Sequence, residues 1–591
     1  MGKVPSVDQP GRIVTKRVLT LLIALLTSAP AMSANFEPEW GRHGMVVTSV
    51  RPAAAAGQQV LENGGNAVDA AIATAFAAAV AHPFSSGLGG GLFALVHDAR
   101  DGKTRSLDAR ETAPASATAE FYAKNPQSIR DGARSVGVPG FVQGVYALHQ
   151  KYGSVSWKDL IEPAIKLAEQ GVEVSIWHRS MVSHAVVRLE DYPETRRIQT
   201  IEGLAPPLGW TLVQADLAKT LRLIQENGEK ALAVGAIASK IEQATGGAVT
   251  ELDLARYEVK WREPVRGSYR GYDIFSMPPP SSGGVLLVQM LNVLERFDLT
   301  ALGKDSSEYI HLLAGVMKLA FADRAAYLGD IDFYPVPVER LISAGYASQQ
   351  AARLNPEGQP RVGVEFNQLP DDAGTTQISV MDRYGNAIAL SQSINTIFGS
   401  KITVPGTGII LNNHMDDFSI GPELPNAWEA VGSIANSVAP GKRPLSSMTP
   451  TVVLQDGRAV MVVGSAMGTR IITAVLHSLI NTIDFGFDPQ RAVNAPRFHH
   501  QWKPDRLSLE PEFPLDVRRR LEALGYELQE RSIMGAAQLI LFDRESCIFW
   551  GGADGRRDSG SAGANIGEVP APSAEVACQG AVRNTAEAVP N

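Results

Sequence analysis

Residues 371 to 393 read DDAGTTQISVMDRYGNAIALSQS, an alternating hairpin pattern entered through Gly374, Thr375 and Thr376. A threonine hydroxyl is a weak nucleophile unless a base stands beside it, and a threonine at a chain terminus supplies that base from its own α-amine. The ordinary pKa of such an amine, about 7.7 to 8, suits proton transfer near neutrality. Thr375 lies inside the chain, so this chemistry requires the bond before it to be cut first. Gly374 suits the upstream side of the cut, because glycine tolerates strained backbone that other residues resist. Attack by the Thr375 hydroxyl on the Gly374 carbonyl would give an ester that water opens. The dipeptide alone does not establish this, since threonine is common in strands and an ordinary strand start explains it equally well.

The elements that must position Thr375 belong to a chain of 591 residues, 45% hydrophobic and 20% charged, with 55 Gly, 36 Pro and a formal net charge of -8. That leaves room for two or more domains or one large α/β core. No basic excess or stripe is present, which argues against a nucleic-acid partner. Near the start, Arg12, Lys16 and Arg17 precede VLTLLIALLTSAPAMSA, an apolar run too short to span a bilayer comfortably. Ala31 and Ser33 fit a small-x-small cleavage site. The pattern predicts a signal peptide over residues 1–33 and an exported protein, periplasmic if the source is Gram-negative; the competing reading is an uncleaved anchor. No later segment has the roughly 20 apolar residues of a membrane span. The two cysteines, Cys547 and Cys578, allow one bridge and no cysteine-based zinc site.

Helical patterns dominate the first part of the chain and short strands the second. GGNAVDAAIATAFAAAVAHP predicts a helix buried on most sides, ended by Pro83. Helical periodicity runs through residues 140–175 and 210–245, through SGGVLLVQMLNVL after a proline turn, and through EYIHLLAGVMKLAFADRAAYLGD. From Thr375 the strand-like segments are TTQISVMD, NAIALSQSIN, GTGIILNN, TPTVVLQ and AVMVVGSA, with helices returning near 470–484 and 515–525. Neither part holds a complete set of layers, so a shared core with helix-covered sheets is expected. Residues 564–591 have the composition of a disordered tail.

From about Gly44 to Gly563 the sequence resembles the γ-glutamyltransferase family, also called γ-glutamyl transpeptidases or glutathione hydrolases. The resemblance is carried by LDARETAPA, GVPGFVQGVYALHQKYG, EPAIKLAEQG, MPPPSSGGV, ADRAAYLGD, TTQISVMDRYGNAIALSQSINTIFG, GIILNNHMDDFS, PGKRPLSSMTPTVV and NAPRFHHQW. It implies the four-layer αββα sandwich of N-terminal nucleophile hydrolases and an inactive precursor that cuts itself. The cut would fall between Gly374 and Thr375, giving a large subunit (34–374) and a small one (375–591) that share the fold.

Residue roles follow from the same resemblance. Thr375 is the nucleophile and its freed amine the base; Thr376 is a supporting residue. Ser393 stands where a steadying threonine is usual, keeping the oxygen and losing a methyl. Arg110, Ser446 and Ser447 would hold the α-carboxylate of a γ-glutamyl donor, for which a guanidinium fork is well matched. Asn395, Asp417 and His414 would accept from its α-ammonium, with His414 replacing a usual Gln or Glu. Neutral imidazole accepts one hydrogen bond, whereas protonated imidazole repels an ammonium. The oxyanion would be met by the backbone N–H groups of Met467 and Gly468. A second glycine is usual where Met467 stands, so a glycine-only conformation there would be strained. Gln377 replaces a common His, and Trp428 takes the place of an aromatic gate in a covering loop.

Other motifs carry less. RFHHQW sets His499 beside His500, but neighbours on a strand face opposite ways, so one metal site from both is not expected. SSGLGGGLF has Leu92 where a dinucleotide loop needs its third glycine, and a helix precedes it instead of a strand. No metal and no cofactor is assigned. The expected protein is therefore a self-processing acyltransferase and hydrolase, acting on glutathione or a related donor with water, an amino acid or a peptide as acceptor. Two rivals remain open at this point: a cephalosporin acylase acting on glutaryl groups by the same mechanism, and a non-catalytic relative that never cuts itself.

Overall fold

Alternation along the strands decides the layering. In Gly44–Thr48, Val46 joins one hydrophobic cluster while Met45 and Val47 join another. In Ala387–Asn395, Ile388 and Leu390 separate in the same way from Ala387 and Ala389. A strand with apolar residues on both faces must be covered on both faces. One face meets helices and the other meets a second sheet.

The computed structural model describes residue 2 and residues 37–355, 374–421, 424–558 and 560–565. The first sheet has seven strands in the order Gly560–Ala564, Gly44–Thr48, Gly374–Asp382, Ala387–Asn395, Gly91–Asp98, Lys103–Ala109 and Lys260–Arg262. The second, also of seven, runs Glu39–Gly41, Ile548–Ala553, Gln538–Asp543, Arg458–Gly464, Thr451–Gln455, Tyr272–Ser276 and Val265–Tyr269. Neighbouring strands in both are antiparallel. Phe93, Leu95, Met381, Val452, Val462 and Ile540 fill the space between them. Helices Ala67–Ala81, Phe141–Tyr152 and Trp157–Gln170 cover the first sheet, and Gly283–Leu294, Ser307–Tyr327 and Arg470–Ile483 the second. The result is the expected αββα sandwich.

Helix Ala67–Ala81 is buried at every residue. Its alanines favour helix and leave no bulk to hold the sheet away. An Asn66–Asp69 capping box starts it, and the Asp382 carboxylate accepts from Ala67 N at 2.8 Å. Asp382 also accepts from Tyr384 N and Asn386 N, closing the hairpin that ends the Thr375 strand. The start of the helix is thereby tied to the far end of that hairpin.

Two sequence expectations change. GTGIILNN forms no strand: it makes only the isolated bridges Thr403–Ile410 and Gly89–Leu411. Gly406 and Gly408 have positive φ and turn the chain, so Ile409 and Leu411 enter the helix-side core instead of a ladder. Ala564, expected to begin the tail, is buried as the last residue of a paired strand, and the tail beyond Asn565 lies outside the described residues. Apart from Gly2, the predicted signal peptide over 1–33 also lies outside them. Among the described residues, no helix is long and apolar enough to cross a membrane. Cys547 is disulfide-bonded, and Cys578 lies outside the described residues.

Candidate active site

The hairpin register sets Thr375 opposite Ser393 and Gly374 opposite Asn395, with an irregularity between the two pairs. The hydroxyl oxygens of Thr375 and Ser393 stand 3.0 Å apart. Ser393 Oγ also lies 2.7 Å from the Gly374 carbonyl oxygen and donates to it. Asn395 N donates to Ser393 Oγ at 2.9 Å. The one proton of Ser393 is thus committed to Gly374, so Thr375 must donate its own toward Ser393. Gly374 has no room for a side chain: a Cβ there would stand 2.2 Å from the carbonyl oxygen of Asn395. Thr376 turns to the other face of the strand, where its hydroxyl meets Ser85 Oγ at 3.0 Å. Arg557, buried behind the strand, donates to the Thr375 carbonyl oxygen at 2.8 Å.

A cavity opens beside Thr375. Arg110, Asn395, His414, Asp417, Ser446 and Ser447 all line it, as do Ser393 and Gly468. Distant segments therefore converge as expected. Arg110 comes from the end of strand Lys103–Ala109, Asn395 from the end of Ala387–Asn395, and His414 and Asp417 from the 3-10 turn His414–Asp417. Ser446 and Ser447 are bolted to the proline turn by the bond from Ser446 N to Pro280 O at 2.8 Å.

Charge in the cavity is paired around Arg110. Its Nη2 donates to Asp417, its Nε to Pro444 O at 3.2 Å, and its Nη1 stands 3.6 Å from Glu111. His414 Nδ1 lies 2.8 Å from the other Glu111 oxygen. Paired this way Nδ1 carries the hydrogen and Nε2 is left as an acceptor. Burial, followed by the Arg110 charge, holds the His414 imidazole below its usual range. Burial pushes the neighbouring Asp416 up to about 7.

Met467 and Gly468 form the turn between strand Arg458–Gly464 and helix Arg470–Ile483, both with positive φ, +91° and +55°. The Met467 conformation is one that side chains rarely adopt, so the strain anticipated from the sequence is present. Its side chain does not line the cavity; it packs with Phe84, Ile394 and Phe398. Neither Met467 N nor Gly468 N donates to an acceptor among the described residues. Above Gly468 lies the Trp428 ring, so close that a Cβ on Gly468 would stand 2.1 Å from it. The Trp428 indole donates to Asn395 Oδ1 at 2.8 Å. Its loop is held by Ala427 N to Asp416 at 2.8 Å and by Glu429 to Arg506 at 2.6 Å.

Gln377 stays out of the cavity, its amide bound within the strand to Ile378 O. His499 and His500 diverge, the first to Thr473 and Gln501, the second to Asp505. Among the described residues no group of His, Cys, Asp or Glu is arranged to hold a metal. Arg324, Asn426, Thr469 and Ile471 also line the cavity, and sequence reasoning did not single them out. A charged residue within the apolar run VMKLAFADRAAY was the available signal for Arg324.

A profile described as gamma-glutamyltranspeptidase matches residues 53–564. The chain is 41% identical over 539 residues to the glutathione hydrolase proenzyme of Escherichia coli K12, covering 88% of this chain and 92% of that protein. It is 37% identical over 528 residues to the acylase ACY 1 proenzyme of Pseudomonas sp. SE83, covering 87% and 92%. Among solved structures, the cephalosporin acylase of Bacillus halodurans superposes with a TM-score of 0.81 at 30% identity, covering 91% of this chain and 98% of that one.

Proposed function

The chain belongs to the gamma-glutamyltranspeptidase family, and from that premise we propose that Thr375 performs two acyl transfers in succession. In the first, its hydroxyl attacks the Gly374 carbonyl. The peptide C–N bond breaks, an ester forms, and the nitrogen leaves as the Thr375 amine. Water opens the ester, leaving a carboxylate on Gly374 and a free hydroxyl beside a free amine on Thr375. The products are a large subunit over 34–374 and a small one over 375–591, in an exported protein.

In the second, the amine takes the hydroxyl proton and Thr375 Oγ1 attacks the γ-amide of glutathione or a related donor. The oxyanion is received by the N–H groups of Met467 and Gly468. The ammonium returns its proton to the departing amine, leaving a γ-glutamyl ester. Water, an amino acid or a peptide amine then takes the acyl group and restores the hydroxyl. Arg110, Ser446 and Ser447 attract the donor's α-carboxylate; Asn395, Asp417 and neutral His414 accept from its α-ammonium.

The observation that supports this most directly is the position of Ser393, which touches both the Thr375 hydroxyl and the Gly374 carbonyl. N-terminal sequencing of the purified protein tests it. A second chain beginning Thr-Thr-Gln-Ile, absent from T375A, is the expected result, and a single uncut chain in the wild type refutes it.

The similarity to acylases favours a second reading, in which a glutaryl group replaces γ-glutamyl and no ammonium is bound. Relative turnover of γ-glutamyl- and glutaryl-p-nitroanilide separates the two.

A further inference from the structure

Arg324 and Arg557 are each 6% exposed and have no carboxylate partner among the described residues, but they open into different spaces. Arg324 donates to Ser282 and Ser447 and lines the cavity beside Thr375. Arg557 lines a second cavity of about 420 Å³, which shares no residue with the first. One end of its guanidinium is occupied: Nη1 donates to the Thr375 carbonyl oxygen at 2.8 Å. The other edge is not. Nε and Nη2 are buried and have no hydrogen-bond partner among the described residues. That edge is the one that grips an oxyanion side-on. In the adjacent Arg556 the same two nitrogens hold the Glu510 carboxylate.

A second buried group in this cavity is also unmatched. His178, 2% exposed in the first turn of helix Ile176–Ala185, has no hydrogen-bond partner at either ring nitrogen. Burial pulls it down to about 4, so the imidazole is neutral and one nitrogen carries a hydrogen to donate. Two carboxylates, Glu173 and Asp558, line the cavity as well. Asp558 turns to Ser175 and His82, and neither it nor Glu173 comes within 4.0 Å of Arg557. Burial therefore pulls the Arg557 guanidinium down to about 10, with Asp554 and Asp558 opposing only from a distance. A fold that closes Arg497 on Asp554 and Arg443 on Asp108 leaves this fork open.

We propose that this second cavity is a binding site for a small oxyanion, a phosphate or a carboxylate. Arg557 receives two of its oxygens side-on, and His178 donates to the same ion. The ion supplies the counter-charge that Asp558, the next residue along, directs to Ser175 and His82 instead. It sits one guanidinium away from the nucleophile, because Nη1 of the same group holds Thr375 O. Neither anion need be a substrate, so the site stands or falls apart from the acyl-transfer chemistry.

The test is isothermal titration calorimetry with inorganic phosphate and with acetate, at fixed ionic strength. Wild type should bind at least one of them saturably, with a Kd below about 10 mM. Which of the two binds identifies the source of the oxyanion. R557M, which keeps the bulk of the side chain and removes the fork, should raise that Kd roughly 10- to 100-fold, the loss of charge-assisted bonds. H178F, which keeps a ring and removes both nitrogens, should raise it roughly threefold to tenfold. An unchanged Kd in either variant overturns the proposal, since the anion then binds elsewhere, the catalytic cavity included. Failure of both anions to bind wild type saturably below about 10 mM overturns it as well. Binding and not turnover is the readout, because R557M also strips a donor from Thr375 O. If near-UV circular dichroism shows that R557M does not fold, R557K keeps the charge and loses the fork. A Kd raised roughly threefold or more in R557K supports the proposal, and an unchanged one refutes it.

Discussion

Ser393 donates a 2.7 Å hydrogen bond to the carbonyl oxygen of Gly374, the group that the proposed self-cleavage would attack. Ser393 Oγ itself accepts from Asn395 N and faces the Thr375 hydroxyl. Removing it strips one donor from the carbonyl and one acceptor from the nucleophile. S393A should accumulate uncut precursor, with cutting slowed roughly 100-fold as for loss of a single oxyanion donor. S393T, which restores the hydroxyl, should cut at a rate close to that of the wild type. A time course on a denaturing gel reads both.

Met467 sets two opposing effects against each other. Its positive φ costs about 1–3 kcal/mol, which M467G would relieve. The side chain is 2% exposed in the cluster around Phe84 and Phe398, and losing such packing costs about 2–5 kcal/mol. Packing outweighs strain, so M467G should melt at a lower temperature than the wild type. Its backbone N–H is retained, so kcat should stay within a few-fold. A higher melting temperature would show that strain dominates.

His414 gives a pH signature with a definite sign. A base whose pKa is lowered in the folded protein stays neutral through its ordinary titration range and takes up a proton only in stronger acid. KM for the donor should therefore be the same in wild type and H414Q from about pH 8 to 6.5, His's ordinary value. Only below that should the wild type lose affinity relative to H414Q, as imidazolium begins to repel the donor's ammonium. Asp416, pushed up to about 7, is common to both proteins and drops out of the comparison. A divergence beginning above pH 6.5 would contradict the burial argument.

Trp428 and Gly468 should be coupled. G468A places a methyl where the indole lies, in a backbone conformation that alanine resists. Its activity should fall at least about tenfold, and W428A in the same chain should recover part of it, a non-additivity typical of touching residues. W428A alone uncovers Gly468 and should raise hydrolysis relative to transfer, by roughly two- to tenfold, as water enters more freely. Product analysis with a dipeptide acceptor measures that ratio.

Gly-Thr ahead of an alternating hairpin, with Ser393 opposite in its register, is a local signal that marked Thr375 for attention, but only the family resemblance made it a candidate nucleophile. The helices were legible from periodicity, and Ala67–Ala81 from composition alone. GTGIILNN was misread because alternation marks a strand only where a partner edge exists, and two glycines turn this segment away from one. Arg324 and Arg557 were illegible for another reason. Their contacts with Ser447 and Thr375 join residues 123 and 182 positions apart, and nothing near either arginine in sequence announces the partner. Arg110, Asp417 and His414 became visible only through family resemblance; their local sequences equally fit surface ion pairs and turn acids.

The order of the first sheet has one more consequence. Gly44–Thr48 lies between Gly374–Asp382 and Gly560–Ala564, and Gly91–Asp98 adjoins Ala387–Asn395. Once the chain is severed before Thr375, the two polypeptides are interdigitated strand by strand, with no dividing plane along which dilution can part them. Under the proposed cut, each molecule would fold while still continuous and then lose the connection that made folding fast. Denatured after the cut, the halves must find each other as a bimolecular search, so the enzyme in service is assembled once and not readily reassembled.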